Sequence, residues 1–198
     1  MNDILNLIKT RRSIRDYLDK PIQKDAIDKI LEAGRWAPSG VNMQPWHFIV
    51  VKSKELRTQV GNQAKFLFIK SRHVSEAPLI IVLCGNPRSN FYKTDCALAG
   101  ANMVMEATAL GIGSCWIGAF NEAKIKEILD IPEKISIIAL ITFGYFAENP
   151  QPPPKLDLNR IVHREKFGNT KEQGIYDKIV KTGPISVISR VLKIIFRF

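Results

Sequence analysis

Apolar residues recur along this chain with two spacings, and each change of spacing marks a change of element. In residues 24–33, Ile27, Ile30 and Leu31 lie three and four positions apart among charged residues, which predicts an amphipathic helix. Ile4, Leu5 and Ile8 predict a shorter helix just before Lys9, and residues 122–129 repeat the helical pattern. Residues 47–51, 79–84 and 135–143 are instead continuous apolar runs, rich in Val and Ile and bounded by turn residues, so they predict strands. Residues 92–110 are apolar on all sides, and Ala97, Ala99, Gly100, Ala101, Ala107 and Ala109 permit another backbone to approach closely. That pattern predicts a central helix, one suited to packing against its own copy across a dimer. Gly111 stops it, and residues 111–120 read as a helix stop followed by a short strand. Strands interleaved with helices of unequal length predict an α+β fold, a sheet covered by helices. With 198 residues and 45% hydrophobic content, the chain can bury the core of one domain.

Two polar segments interrupt these elements with unusual chemistry. Residues 37–48 read Ala-Pro-Ser-Gly-Val-Asn-Met-Gln-Pro-Trp-His-Phe and run straight into a strand. Pro38, Gly40 and Pro45 constrain or free the backbone, while Ser39, Asn42 and Gln44 offer donors and acceptors suited to the edge of a flat heterocycle. The same residues also suit an ordinary connection whose Ser and Asn cap their own backbone. Upstream, Arg11, Ser13 and Arg15 stand at alternate positions, so an extended backbone sends all three to one face. Two guanidinium forks and a hydroxyl make a receptor for phosphate, although arginines at a helix end also serve as a solvated basic turn. Gly118 and Ala119 leave backbone N–H groups open to a flat ligand.

In this order and spacing, the three segments resemble the FMN-dependent nitroreductase family over nearly all of residues 1–165. The resemblance implies a mixed, largely antiparallel sheet flanked by helices in an intertwined homodimer. It assigns Arg11, Arg12, Ser13 and Arg15 to the FMN phosphate and the pyrimidine side of the flavin. Pro38, Ser39 and Gly40 are expected to reach the flavin bound mainly by the partner subunit, with Asn42 and Gln44 shaping the loop and ring pocket. Ile117, Gly118 and Ala119 match the segment whose backbone amide meets flavin N5, which makes Gly118 the expected catalytic position. Lys155, after Pro152-Pro153-Pro154, matches a late basic residue on the phosphate. The implied activity is hydride transfer from NADH or NADPH through FMN to a nitroaromatic, quinone or flavin-type acceptor.

Cys84, Cys96 and Cys115 are isolated from one another and from the histidines His47, His73 and His163, which argues against a metal centre. Unpaired cysteines and the absence of a signal peptide predict a cytoplasmic protein. All three thiols read as small packing groups, and His73 reads as part of a polar loop. Charge adds one feature. Residues 151–198 carry ten Lys and Arg against four Asp and Glu, and residues 1–150 nineteen against fifteen. As a helix, residues 184–198 place Arg190, Lys193 and Arg197 on one side of an otherwise apolar surface. This defines a basic extension over 166–198 beyond the FMN-binding domain of 1–165, suited to peripheral membrane contact or to packing on a partner subunit. Nucleic acid is not an expected partner, because aromatic residues are not interleaved with the basic ones. The alternative class is a non-catalytic flavin-binding or basic membrane-surface protein.

Overall fold

The computed structural model describes residues 4–66, 69–147 and 149–169. Helix α1 (Ile4–Thr10) is followed by α2 (Lys24–Arg35), strand β1 (Trp46–Val51) and α3 (Lys54–Gly61). A minimal hairpin, β2 (Lys65–Phe66) and β3 (Ile69–Lys70), leads into α4 (Arg72–Glu76) and β4 (Leu79–Gly85). Then come α5 (Tyr92–Ala109), β5 (Gly113–Ile117), α6 (Glu122–Ile128), β6 (Ser136–Gly144) and α7 (Leu158–Ile161).

Four strands form an antiparallel sheet in the order β1-β4-β6-β5. Every residue of β4 is buried, because it is central and covered on both faces. That explains its continuous apolar sequence, since alternation is needed only where one face meets water. Leu79, Ile81 and Leu83 pack with Ile27 and Ile30 of α2 and Ala99 and Met103 of α5. Ile80, Val82 and Cys84 face the other way, toward Val60, Val74 and Ile125 on α3, α4 and α6. The sheet therefore sits between two helical layers. Ser53 and Asn121 cap α3 and α6, accepting hydrogen bonds from Leu56 N and Lys124 N.

Helix α5 lies directly on the sheet. A Cβ at Gly100 would collide with Trp116 Cζ3 and lie 3.0 Å from Leu83 Cδ2, so glycine lets the helix approach without displacing these side chains. Its other side is not buried, and Leu98 is exposed there.

Strand β5 is an edge of the sheet, and the segment after α1 closes it. Ser13 forms a parallel bridge to Ser114, with Ile14 N donating to Ser114 O at 2.9 Å. Residues Met1–Pro152 make up one compact unit and the chain from Pro153 a second. In the second, Asp157 caps α7 by accepting from Asn159 N at 2.8 Å, and His163 stacks on Phe167. The basic helix expected over residues 184–198 lies outside the described residues.

Candidate functional site

The bridge between Ser13 and Ser114 places the arginine-rich segment along β5 in an extended conformation. Arg11 Nη1 approaches Ser13 Oγ at 3.5 Å, and Arg15 Nη1 donates weakly to Ser13 O at 3.4 Å. Neither guanidinium is locked by a carboxylate among the described residues, so both keep donors for a ligand. Arg12 points elsewhere. Its Nε donates to Pro150 O at 2.9 Å, and its Nη1 donates to Lys9 O at 2.7 Å and Arg11 O at 2.9 Å. These carbonyl contacts give Arg12 a structural task, and they separate it from Arg11 and Arg15 as alternation along an extended chain requires.

Downstream on the same edge strand, Ile117 is buried and ends the ladder opposite Leu140. Gly118 follows it, exposed, and a Cβ there would meet nothing within 4 Å. Its main chain is accessible to a flat group. Gly118 is four residues beyond Ser114, roughly 13 Å along a strand. Ala119 is half-buried beside it.

The Pro38–Gln44 loop is held by its own polar groups. Gln44 N donates to Ser39 Oγ at 3.1 Å, and Gln44 Nε2 donates to Asn42 Oδ1 at 3.1 Å. Gly40 N donates to both carboxylate oxygens of Asp95 at 3.3 Å, tying the loop to the first turn of α5. Val41, Asn42 and Gln44 all have positive φ, at 50°, 57° and 46°. For a β-branched residue this conformation is strained, and Val41 is 92% exposed, so packing against its own chain does not offset the cost. Lys155 is exposed and belongs to the unit that begins at Pro153.

Three residues near these segments carry roles that sequence reading left unassigned. Tyr17 continues the alternation of Arg11, Ser13 and Arg15; its hydroxyl donates to Ile14 O at 2.8 Å and lies 2.7 Å from Thr142 Oγ1. Asp95 is a buried carboxylate in an apolar helix, and that isolation was its signal. His73 lies in α4 rather than a polar loop, and its Nε2 is buried without a hydrogen-bond partner among the described residues. Burial, with a smaller effect of the Arg15 charge, holds its imidazole down to about 4, so it stays neutral. All three thiols are buried, as expected of packing groups. Burial pushes the Cys115 thiol above its usual range despite the nearby Arg15 and Arg11.

This fold is shared with solved structures. The FMN-dependent nitroreductase of Clostridium difficile superposes with a TM-score of 0.76 at 31% identity, covering 82% of this chain and 99% of that one. A relative from Methanothermobacter thermautotrophicus, provisionally named an NADH dehydrogenase/NAD(P)H nitroreductase, is 36% identical over 83% of this chain and 88% of its own length. The FMN reductase [NAD(P)H] of Bacillus subtilis is 24% identical over 87% of this chain and 77% of its own. The model of the nitroreductase family matches residues 8–145. The chain belongs to the nitroreductase family.

Proposed function

We propose that this protein is an NAD(P)H-dependent flavin oxidoreductase that uses FMN. The observation that carries this reading is the Ser13–Ser114 bridge, which sets the Arg11–Arg15 segment alongside the edge strand that leads to the unobstructed Gly118. The residues fit the cofactor: two permanently charged forks and a hydroxyl suit its phosphate, and an open main chain suits its ring. When bound, FMN would supply hydride chemistry between NADH or NADPH and a nitroaromatic, quinone or flavin-type acceptor. Arg11 and Ser13 would hold the phosphate, and Arg15 would offset negative charge on the pyrimidine side. The open Gly118 main chain would offer its N–H to the flavin ring. His73 is neutral with its Nε2 buried, which argues against it as a proton source.

The working unit in this proposal is a homodimer with FMN at the subunit boundary. Support comes from a cluster of exposed apolar side chains around the strained loop. Phe91 packs on Gly40 and is 57% exposed, beside the 92% exposed Val41, and Leu98 continues the surface along α5. Such a surface suits a second copy whose flavin is met by Pro38, Ser39 and Gly40. Residues 166–198 are proposed to form an extension outside the FMN-binding domain. Among the described residues no helix is long and apolar enough to cross a membrane.

The absorption spectrum of the purified protein tests the reading directly. A flavin spectrum bleached by NADH or NADPH and restored by an added nitroaromatic or quinone is the expected result. A protein that takes up no FMN would refute it, and one that holds FMN without reduction by either nicotinamide would be a flavin-binding protein instead.

A further inference from the structure

Ile14 stands between Ser13 and Arg15, and the orientation of its two peptide planes fixes where both neighbours point. Its side chain is 2% exposed and fills the space over Gly113, where a Cβ would come within 2.6 Å of Ile14 Cγ1. Its N–H is fixed by Ser114 O at 2.9 Å. Its carbonyl accepts from the Tyr17 hydroxyl at 2.8 Å. That hydroxyl has one proton; given to Ile14 O, it leaves Thr142 Oγ1 to donate at the 2.7 Å contact, in preference to its longer 3.4 Å contact with Cys115 O. Thr142 is fully buried on β6, and the Tyr17 ring lies where a Cβ on Gly144 would stand, 2.6 Å from Tyr17 Cδ1. The ring and hydroxyl thus tie the carbonyl of Ile14 to the middle of the sheet.

We propose that Tyr17, supported by Thr142, is a positioning residue for the phosphate-binding arm, holding the Ile14 carbonyl so that Ser13 stays beside Arg11 at the flavin phosphate. The proposal rests on the flavin reading above. Burial keeps the phenol protonated well above its usual range, so the donor persists at every working pH. Without the hydroxyl, the Ile14 carbonyl loses this partner and Thr142 keeps only Cys115 O at 3.4 Å, so Ile14, and with it Ser13, is held less firmly. The ring packing would remain.

Tyr17→Phe removes only that hydroxyl, and riboflavin lacks only the phosphate, so comparing the two flavins separates positioning from general support. Fluorescence titration of the apoprotein is expected to show FMN binding about tenfold weaker in the variant, with riboflavin binding unchanged. Thr142→Val should weaken FMN in the same selective way, and Thr142→Ser should restore it. These variants carry the test if Tyr17→Phe does not fold. Unchanged FMN affinity in the Tyr17 and Thr142→Val variants would overturn the proposal. So would an equal loss of FMN and riboflavin, which would mark Tyr17 as structural only. A wild-type protein that binds neither flavin would overturn the flavin reading itself, a distinguishable result.

Discussion

Arg11, Arg12 and Arg15 are the same residue type within five positions, yet the structure divides them by what they already touch. Arg12 is committed to three backbone carbonyls, whereas Arg11 and Arg15 make only long contacts within their own segment. Charge-assisted bonds to phosphate are worth about 1.5–3 kcal/mol each, so Arg11→Ala should weaken FMN binding by at least tenfold. Arg12→Ala should leave FMN affinity closer to wild type and lower thermal stability instead. Titration and melting of both variants check the division, and the reverse ranking would reject it. His73 allows a second prediction. Its folded-state value near 4 lies below the ordinary value near 6.5, so the unfolded chain takes up a proton first as pH falls. The associated stability is present above about pH 6.5 and is lost toward pH 4, by on the order of 2 kcal/mol after allowing for its partial exposure. Urea unfolding at about pH 7 and about pH 5 should show this drop in wild type and a smaller one in His73→Gln. Equal drops in both proteins would assign the acid sensitivity to other groups.

At the scale of elements, the strands and long helices were legible because each buries a face with a regular period. The all-buried β4 announced itself as an unbroken apolar run, and α2 by Ile27 and Ile30, both of which reach the core. Three short elements were not: α3 has few apolar residues, the β2/β3 hairpin has two residues per strand, and α4 has five. Their place is set by tertiary contacts such as Ser71 N to Ala64 O rather than by local pattern. The alternation of Arg11, Ser13 and Arg15 was likewise visible, whereas their strand partner, a hundred residues further on, was not. The small residues of α5 were visible too, and the structure gives one of them a definite contact. Gly100→Ala should cost about 1–3 kcal/mol, because the added methyl meets Leu83 at 3.0 Å and Ile141 at 3.1 Å as well as the Trp116 ring. Chemical denaturation measures this, and an unchanged midpoint would show that Trp116, 40% exposed, simply swings aside.

At the scale of the whole molecule, the exposed Val41, Phe91 and Leu98 predict assembly. Sedimentation should show a dimer at micromolar concentration with flavin bound, and replacing Val41 and Leu98 with Glu should yield monomers that lose FMN. Monomers that retain flavin and full turnover would reject a site shared between subunits. The Ser13–Ser114 bridge has a consequence of another kind, in time rather than in space. It joins the beginning of the chain to its middle, across a separation of about a hundred residues. Such long loops close late, after local helices and hairpins have formed. While the protein is being synthesised, the first arginines must therefore wait, unpaired, until β5 has left the ribosome and packed on β6. The proposed phosphate seat can form only in a chain that has reached this stage, so capture of the cofactor would report that folding is complete.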